Sequence, residues 1–218
     1  MEFGAALETT ALPLLARLAR FAQGAADESL ESVARSEFPF WRGKLSKAQG
    51  ARLVDYLMFD IRPKHFARRT VEQFAIEVAA SLDDAGRAML EQWVDAPRRL
   101  YRAADWSGGF ATCVDLLDES RAPIDVFDVE GSWRPAGDAP FALRALRVGP
   151  AYACAGPPLT YGDRTAADVA DAMRRRHLDF VRTQRIASMD DFLRLAPKAL
   201  DEESVAQTSV STIIVPSR

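Results

Sequence analysis

Between Leu100 and Ala155 the chain is cut into short runs by turn chemistry, and within the best of those runs alternate residues differ in polarity. This feature constrains the fold most, because a period of two places successive side chains on opposite faces of a strand and has no place in a helix. Leu100 to Trp106 is the first run, closed by Ser107-Gly108-Gly109. Phe110 to Leu117 is the second, with Phe110, Thr112, Val114 and Leu116 on one face and Ala111, Cys113, Asp115 and Leu117 on the other. Asp118 to Pro123 is a polar turn whose proline cannot donate to a ladder. Ile124 to Val129 is a third strand; its apolar residues change face between Val126 and Phe127, which predicts a bulge or a sharp bend. After a loop from Glu130 to Asp138 with Trp133 in its middle come Phe141 to Val148, the turn Gly149-Pro150, and Tyr152 to Ala155, stopped by Gly156-Pro157-Pro158. Five short strands joined by tight turns predict a small antiparallel, barrel-like sheet, since an open sheet of this size needs its edges covered.

Helices flank this stretch on both sides. Leu7, Ala11, Leu14, Leu15 and Leu18 fall at helical spacing, with Pro13 inside the run to kink it or mark its first turn. Asp27 is placed to cap a short second helix, and Phe38-Pro39-Phe40-Trp41 is an aromatic cluster in an extended segment. Ser46 with Gln49, and Thr70 with Gln73, have the spacing of capping boxes opening helices to Ile61 and Ala80. Leu82 to Val94 follows, its start marked by Asp83-Asp84, and Pro97 closes the helical part. Beyond the strands, Asp163 or Thr165 caps a helix reaching about Ile186, and Ser188 with Asp191 starts another, Met189 to Ala196. Residues 198–208 read as a polar, acidic loop, and Val210 to Val215 as an edge strand or a surface-docked segment. The expected class is α+β: residues 1–97 helical, 98–162 the β part, 163–218 C-terminal helices and tail, in one unit.

The chain has 218 residues, nearly half of them apolar, enough for a sizeable core. A net charge of -3 speaks against a dedicated nucleic-acid binder. No apolar run approaches the roughly 18 residues of a membrane span, and Glu2, Glu8, Arg17 and Arg20 break up the N-terminal stretch, so neither membrane insertion nor a signal peptide is expected. Two cysteines, Cys113 and Cys154, do not make a disulfide framework, and the cytoplasm is the default compartment.

This layout resembles a group of uncharacterised bacterial proteins in which a helical segment precedes a small β region and some members carry a zinc-binding SEC-C motif. The matching residues are Val54-Asp55-Tyr56-Leu57-Met58-Phe59-Asp60, the helix from Leu82 to Trp93, and the strands holding Val114-Asp115-Leu116-Leu117 and Gly137-Asp138, within residues 45–156. No cysteine-rich terminal motif is present, so nothing about zinc carries over, and the group supplies no catalytic residues to place here.

Chemistry-bearing residues are sparse. Cys113, Cys154, His65 and His177 lack paired ligand spacing, and both cysteines read as small buried hydrophobes. His177 lies on the apolar face of its helix with Met173 and Phe180, as a satisfied core or boundary histidine does. No nucleophile elbow or phosphate-cradling glycine loop is present. Asp115, Asp118, Asp125 and Asp128 lie on neighbouring strands and turns, where a cation-binding cluster competes with the plainer reading of turn-forming aspartates. Arg174, Arg175, Arg182 and Arg185 share one side of the long C-terminal helix, a phosphate-contacting face opposed by Asp171 and Asp179. Trp106, Trp133 and Tyr152 flank loops at the ends of the β part, where aromatics either stack on a ligand or plug the structure. These signals rank a non-enzymatic protein- or peptide-interaction module first, with no cofactor. A nucleic-acid-associated protein using the arginine face and a metal-dependent enzyme using the aspartates come after it.

Overall fold

The computed structural model describes residues 2–26, 29–41, 43–129, 131, 133, 137–154, 156–184 and 188–205. The Asp27 cap, Arg185 and the Val210 to Val215 segment lie outside these. The first helix, α1, runs over residues 3–25 and buries Leu14, Leu18 and Ala22. Its stretch Leu7–Ala11 is wound as a π-helix directly before Pro13. Proline offers no N–H and its ring clashes with the carbonyl four residues back, and a widened turn accommodates both without ending the helix. Then follow α2 (Leu30–Glu37), α3 (Lys47–Phe59), α4 (Thr70–Val78) and α5 (Asp84–Val94).

The capping box of Ser46 and Gln49 is present at α3. At α4 the box expected from Thr70 and Gln73 is displaced by one residue. The Arg69 N–H donates to Glu72 Oε2 at 2.7 Å, and the Arg69 guanidinium reaches both Glu72 and Val94 O. Arginine has no acceptor to complete the exchange, but its second anchor on α5 decides which residue caps. Thr70 becomes the first helical residue, its hydroxyl buried without a hydrogen-bond partner among the described residues.

Six strands follow: β1 (Arg98–Ser107), β2 (Phe110–Asp115), β3 (Ile124–Phe127), β4 (Phe141–Val148), β5 (Ala151–Cys154) and β6 (Leu159–Thr160). The first five close on themselves in the order β1-β2-β3-β5-β4, with β4 returning to β1. Antiparallel pairing holds at every step except β3 to β5, which is parallel, correcting the all-antiparallel expectation. The reason is parity: directions cannot alternate strictly around a ring with an odd number of strands. The two-residue turn between β1 and β2 has both glycines at positive φ, Gly108 at 58° and Gly109 at 84°, as a type I′ hairpin requires. A bulge lies in β1 between Ala103 and Asp105 and not in β3, whose register is regular. Phe127 faces outward there because α1 covers that side, with the Phe3 ring 5.5 Å from it.

After the ring come α6 (Ala166–Gln184), α7 (Met189–Leu195) and α8 (Ala199–Val205). Of residues 198–208, read as an acidic loop, 199–205 are therefore helical and bury Leu200 and Asp201, while 206–208 lie outside the described residues. The ring is filled by Tyr101, Ala111, Cys113, Val126, Phe141, Leu143 and Cys154. Outside it, Leu146, Val148 and Ala153 pack on the N-terminal helices, while Leu100 and Ala142 pack on α6, α7 and α8. None of the described helices is long and apolar enough to cross a membrane.

Two ion-pair systems emerge from the adjacent residues Arg98 and Arg99, which alternation sends to opposite faces of β1. On the outer face, Arg98, Arg52 and Arg144 meet Asp55, Asp60 and Asp201 at the junction of α3, α8 and the ring. Arg52 Nε and Nη2 grip Asp201 at 2.8 to 3.1 Å, and Arg98 Nη1 reaches both of its oxygens at 3.1 Å. Arg144 joins Asp55 at 2.9 Å and Asp60 at 2.7 Å. The space left beside this network is about 10 Å³, at the lower limit for a single water, so it is a fastening and not a binding site.

Candidate site at the mouth of the strand ring

On the inner face, Arg99 opens into a cleft of about 490 Å³ at one end of the ring. Every ring strand contributes to its wall: Arg99 and Tyr101 from β1, Asp115 from β2, Ile124 from β3, Ala145 and Arg147 from β4, Tyr152 from β5. Gln92, Asp95 and Pro97 at the end of α5, Arg121 from the β2–β3 loop, and Asp190 from α7 complete the rim.

Arg99 is only 3 % exposed, and its guanidinium is fixed on two sides. Nε donates to Asp115 and Nη1 donates to Asp190. Asp115 is itself locked, because its other oxygen accepts the backbone N–H of Leu117 at 2.8 Å and of Asp118 at 3.1 Å where β2 ends. Nη2 of Arg99 is buried and has no partner among the described residues. A buried donor without an acceptor costs about 1–3 kcal/mol, more when charged.

Arg121 donates to Asp190 at 2.5 Å and to Asp118 at 3.2 Å. Arg147 is exposed, its Nε on Gly149 O at 3.3 Å. Burial, followed by the nearby Asp115 carboxylate, pushes the Tyr101 hydroxyl well above its ordinary value. Deeper in the ring, burial pushes both thiols, Cys113 and Cys154, up to about 12, so neither is a nucleophile at neutral pH.

The structure separates the residues singled out in the sequence. Tyr152 lines the mouth. Trp106 sits at the other end of β1 from Arg99, roughly 20 Å away at the rise of a strand. There its ring meets Trp133 at 5.5 Å, and Trp133 meets Phe141 at 4.7 Å, plugging that end.

Of the aspartates, only Asp115 reaches the cleft. Asp118 accepts from Ser120 and Arg121, which hold its carboxyl below the ordinary range. Asp125 accepts the Thr112 hydroxyl at 2.8 Å, and Asp128 accepts the backbone N–H of Trp133 at 2.7 Å. Among the described residues, no three His, Cys, Asp or Glu converge as metal ligands.

The arginine face of α6 is largely answered. Arg174 is tied to Asp171 at 3.0 Å and to Leu116 O at 2.9 Å, and Arg182 to Asp179 at 3.3 Å, while Arg175 is exposed. His177 packs 5.6 Å from the Phe192 ring with its Nε2 buried and unpartnered among the described residues, so it is not the satisfied histidine expected.

Sequence reading missed Arg99, Arg121, Arg147 and Asp190 altogether. The signal for Arg99 and Arg147 was a charge at a position whose two-residue alternation points into the ring; Arg121 and Asp190 carried none, because a loop and a separate helix deliver them. No family model, curated protein or solved structure matches this chain.

Proposed function

We propose that the protein is a non-enzymatic interaction module that takes a segment of a partner protein or peptide at the mouth of its strand ring. The observation that carries this reading is the Arg99 guanidinium, buried at the mouth with its Nη2 amino group unanswered among the described residues. Around it, cationic Arg121 and Arg147, anionic Asp95 and Asp190, and the apolar faces of Pro97, Ile124 and Tyr152 offer contacts of both charge signs and an apolar wall. That mixture suits a peptide, which presents carbonyl acceptors, charged side chains and apolar groups together. It suits a phosphate backbone poorly, because two of the three cations, Arg99 and Arg121, are already paired with carboxylates.

The test is selection of binders from a random peptide library displayed on phage, followed by titration of selected peptides against Tyr152→Ala and Arg147→Glu. Selected peptides are expected to lose most of their affinity for both variants. Affinity untouched by both changes would place recognition elsewhere. Substrate turnover abolished by Asp115→Asn would replace the reading with an enzymatic one.

A further inference from the structure

We infer that the ring mouth is a carboxylate site, and that Asp190 fills it as an internal stand-in until the carboxylate of a ligand displaces it. The inference rests on the reading of the mouth as a binding site and names the group recognised there. Asp190 is held by two guanidinium groups from separate parts of the chain: its Oδ1 accepts from Arg99 Nη1 and its Oδ2 from Arg121 Nη2 at 2.5 Å. One carboxylate spanning two guanidiniums is the arrangement by which proteins recognise a free carboxylate.

The two aspartates on Arg99 differ in kind. Asp115 is 3 % exposed in its side chain, bonded to two backbone N–H groups, and sets the orientation of the arginine. Asp190 is 31 % exposed, and among the described residues its oxygens accept from Arg99 and Arg121 alone. Within its own helix it makes no hydrogen bond among the described residues, and the first-turn negative charge it supplies is shared with Asp191. Ser188 caps α7 by accepting the Asp191 N–H, the Asp191 side chain returns to Ser188 and Arg194, and Phe192 and Leu193 anchor the helix to the core. The Asp190 side chain can therefore turn into solvent while α7 stays docked. That movement frees Arg99 Nη1 beside Nη2, which already has no partner among the described residues, so that Arg99, a residue of the cleft wall, has two donors to offer, with Arg121 as a third contact. An incoming carboxylate then takes the place of the Asp190 carboxylate against the two guanidiniums, so each cation keeps an anionic partner.

An internal competitor lowers apparent affinity by the fraction of molecules in which the site is free. Asp190→Asn removes the competing charge while keeping the shape of the side chain. The experiment titrates wild type and Asp190→Asn, in low salt, with three probes: N-acetyl-trialanine with a free C-terminus, its carboxamide, and a peptide with both ends blocked and a single aspartate. Asp190→Asn is expected to bind one or both carboxylate probes at least about tenfold more tightly than wild type, and the neutral carboxamide no better. Which carboxylate probe gains identifies the source as a chain terminus or an acidic side chain. Adding Arg121→Gln to Asp190→Asn should reverse most of the gain. In the wild type, saturating probe should shift the side-chain carboxyl carbon resonance of Asp190 and leave that of Asp115 in place, a readout that does not depend on a variant folding.

Equal affinity of wild type and Asp190→Asn for every carboxylate probe, or a carboxamide that gains as much from Asp190→Asn as the carboxylates do, overturns the inference. Peptides that bind at the mouth whether or not they carry a carboxylate would also overturn it, yet leave the interaction-module reading standing. Carboxylate probes that bind at the mouth of a protein indifferent to longer peptides would uphold it while removing that reading.

Discussion

Replacing Asp201 by asparagine should cost this fold a large part of its stability. Asp201 has no solvent exposure and receives five hydrogen bonds from Arg52 and Arg98. Arg52, Arg98 and Arg144 balance Asp55, Asp60 and Asp201, so the substitution leaves one buried positive charge in excess. Breaking a buried pair by removing one partner costs about 3–5 kcal/mol, against a total of about 5–15 kcal/mol for a typical domain. At roughly 2–4 °C per kcal/mol for a chain of this size, the melting temperature should fall by about 6–20 °C. Urea denaturation at pH 7, followed by circular dichroism, measures the loss. A double replacement of Arg98 by methionine and Asp201 by leucine removes one charge of each sign, leaves Arg52 and Arg144 balancing Asp55 and Asp60, and should recover part of it, because the desolvation penalty disappears with the ions. A loss below about 1 kcal/mol for Asp201→Asn would mean that the carboxylate behaves as a solvent-screened surface pair, and the argument that α8 is fastened through it would fail.

The same network sets the acid limit. Burial raises the Asp201 carboxyl, but the charges of Arg52 and Arg98 outweigh it and hold it below the ordinary 3.8; Asp55 is held below 3.8 likewise, by Arg144, Arg52 and Arg98 against burial. A carboxyl depressed in the folded state stabilises fully above its unfolded value, and the contribution is lost as pH falls through the folded value. Stability should therefore be flat near neutrality and drop below about pH 4, less steeply in Asp201→Asn, as urea midpoints across pH would show. Cys113 and Cys154 should not react with a thiol reagent in the native protein and should both react in denaturant; rapid native labelling would contradict their place inside the ring. Gly109→Ala should destabilise by about 1–2 kcal/mol in the same assay, because φ is 84° and the new methyl would lie 3.0 Å from the Phe127 ring.

The strands, their tight turns and the flanking helices were legible in the sequence because local periodicity and turn chemistry dictate them. The parallel pair was also within reach, since a closed ring of five strands cannot avoid one. What stayed hidden depends on partners distant in sequence. Phe127 suggested a bend only because nothing in its own strand announces that Phe3 covers it from outside. Residues 199–205 read as loop because their acidic composition hides a helix whose Asp201 is buried by arginines more than a hundred residues away. At the mouth, Tyr152 and Asp115 were named, but the arginines that give the cleft its chemistry come from strand positions passed over as ordinary charges and from a loop.

The step from Arg98 to Arg99 has a consequence for how this polypeptide can be divided. Both residues look to the C-terminal helices for their counter-ions, one through Asp201 and the other through Asp190. A chain ending after Gln184 would forfeit the two anions in a single cut, leaving neighbouring cations on either side of the same strand with one carboxylate partner each, Asp55 for Arg98 and Asp115 for Arg99. The β portion is thus no detachable cassette; whatever it recognises, it does so as a partnership with the last helices of the sequence.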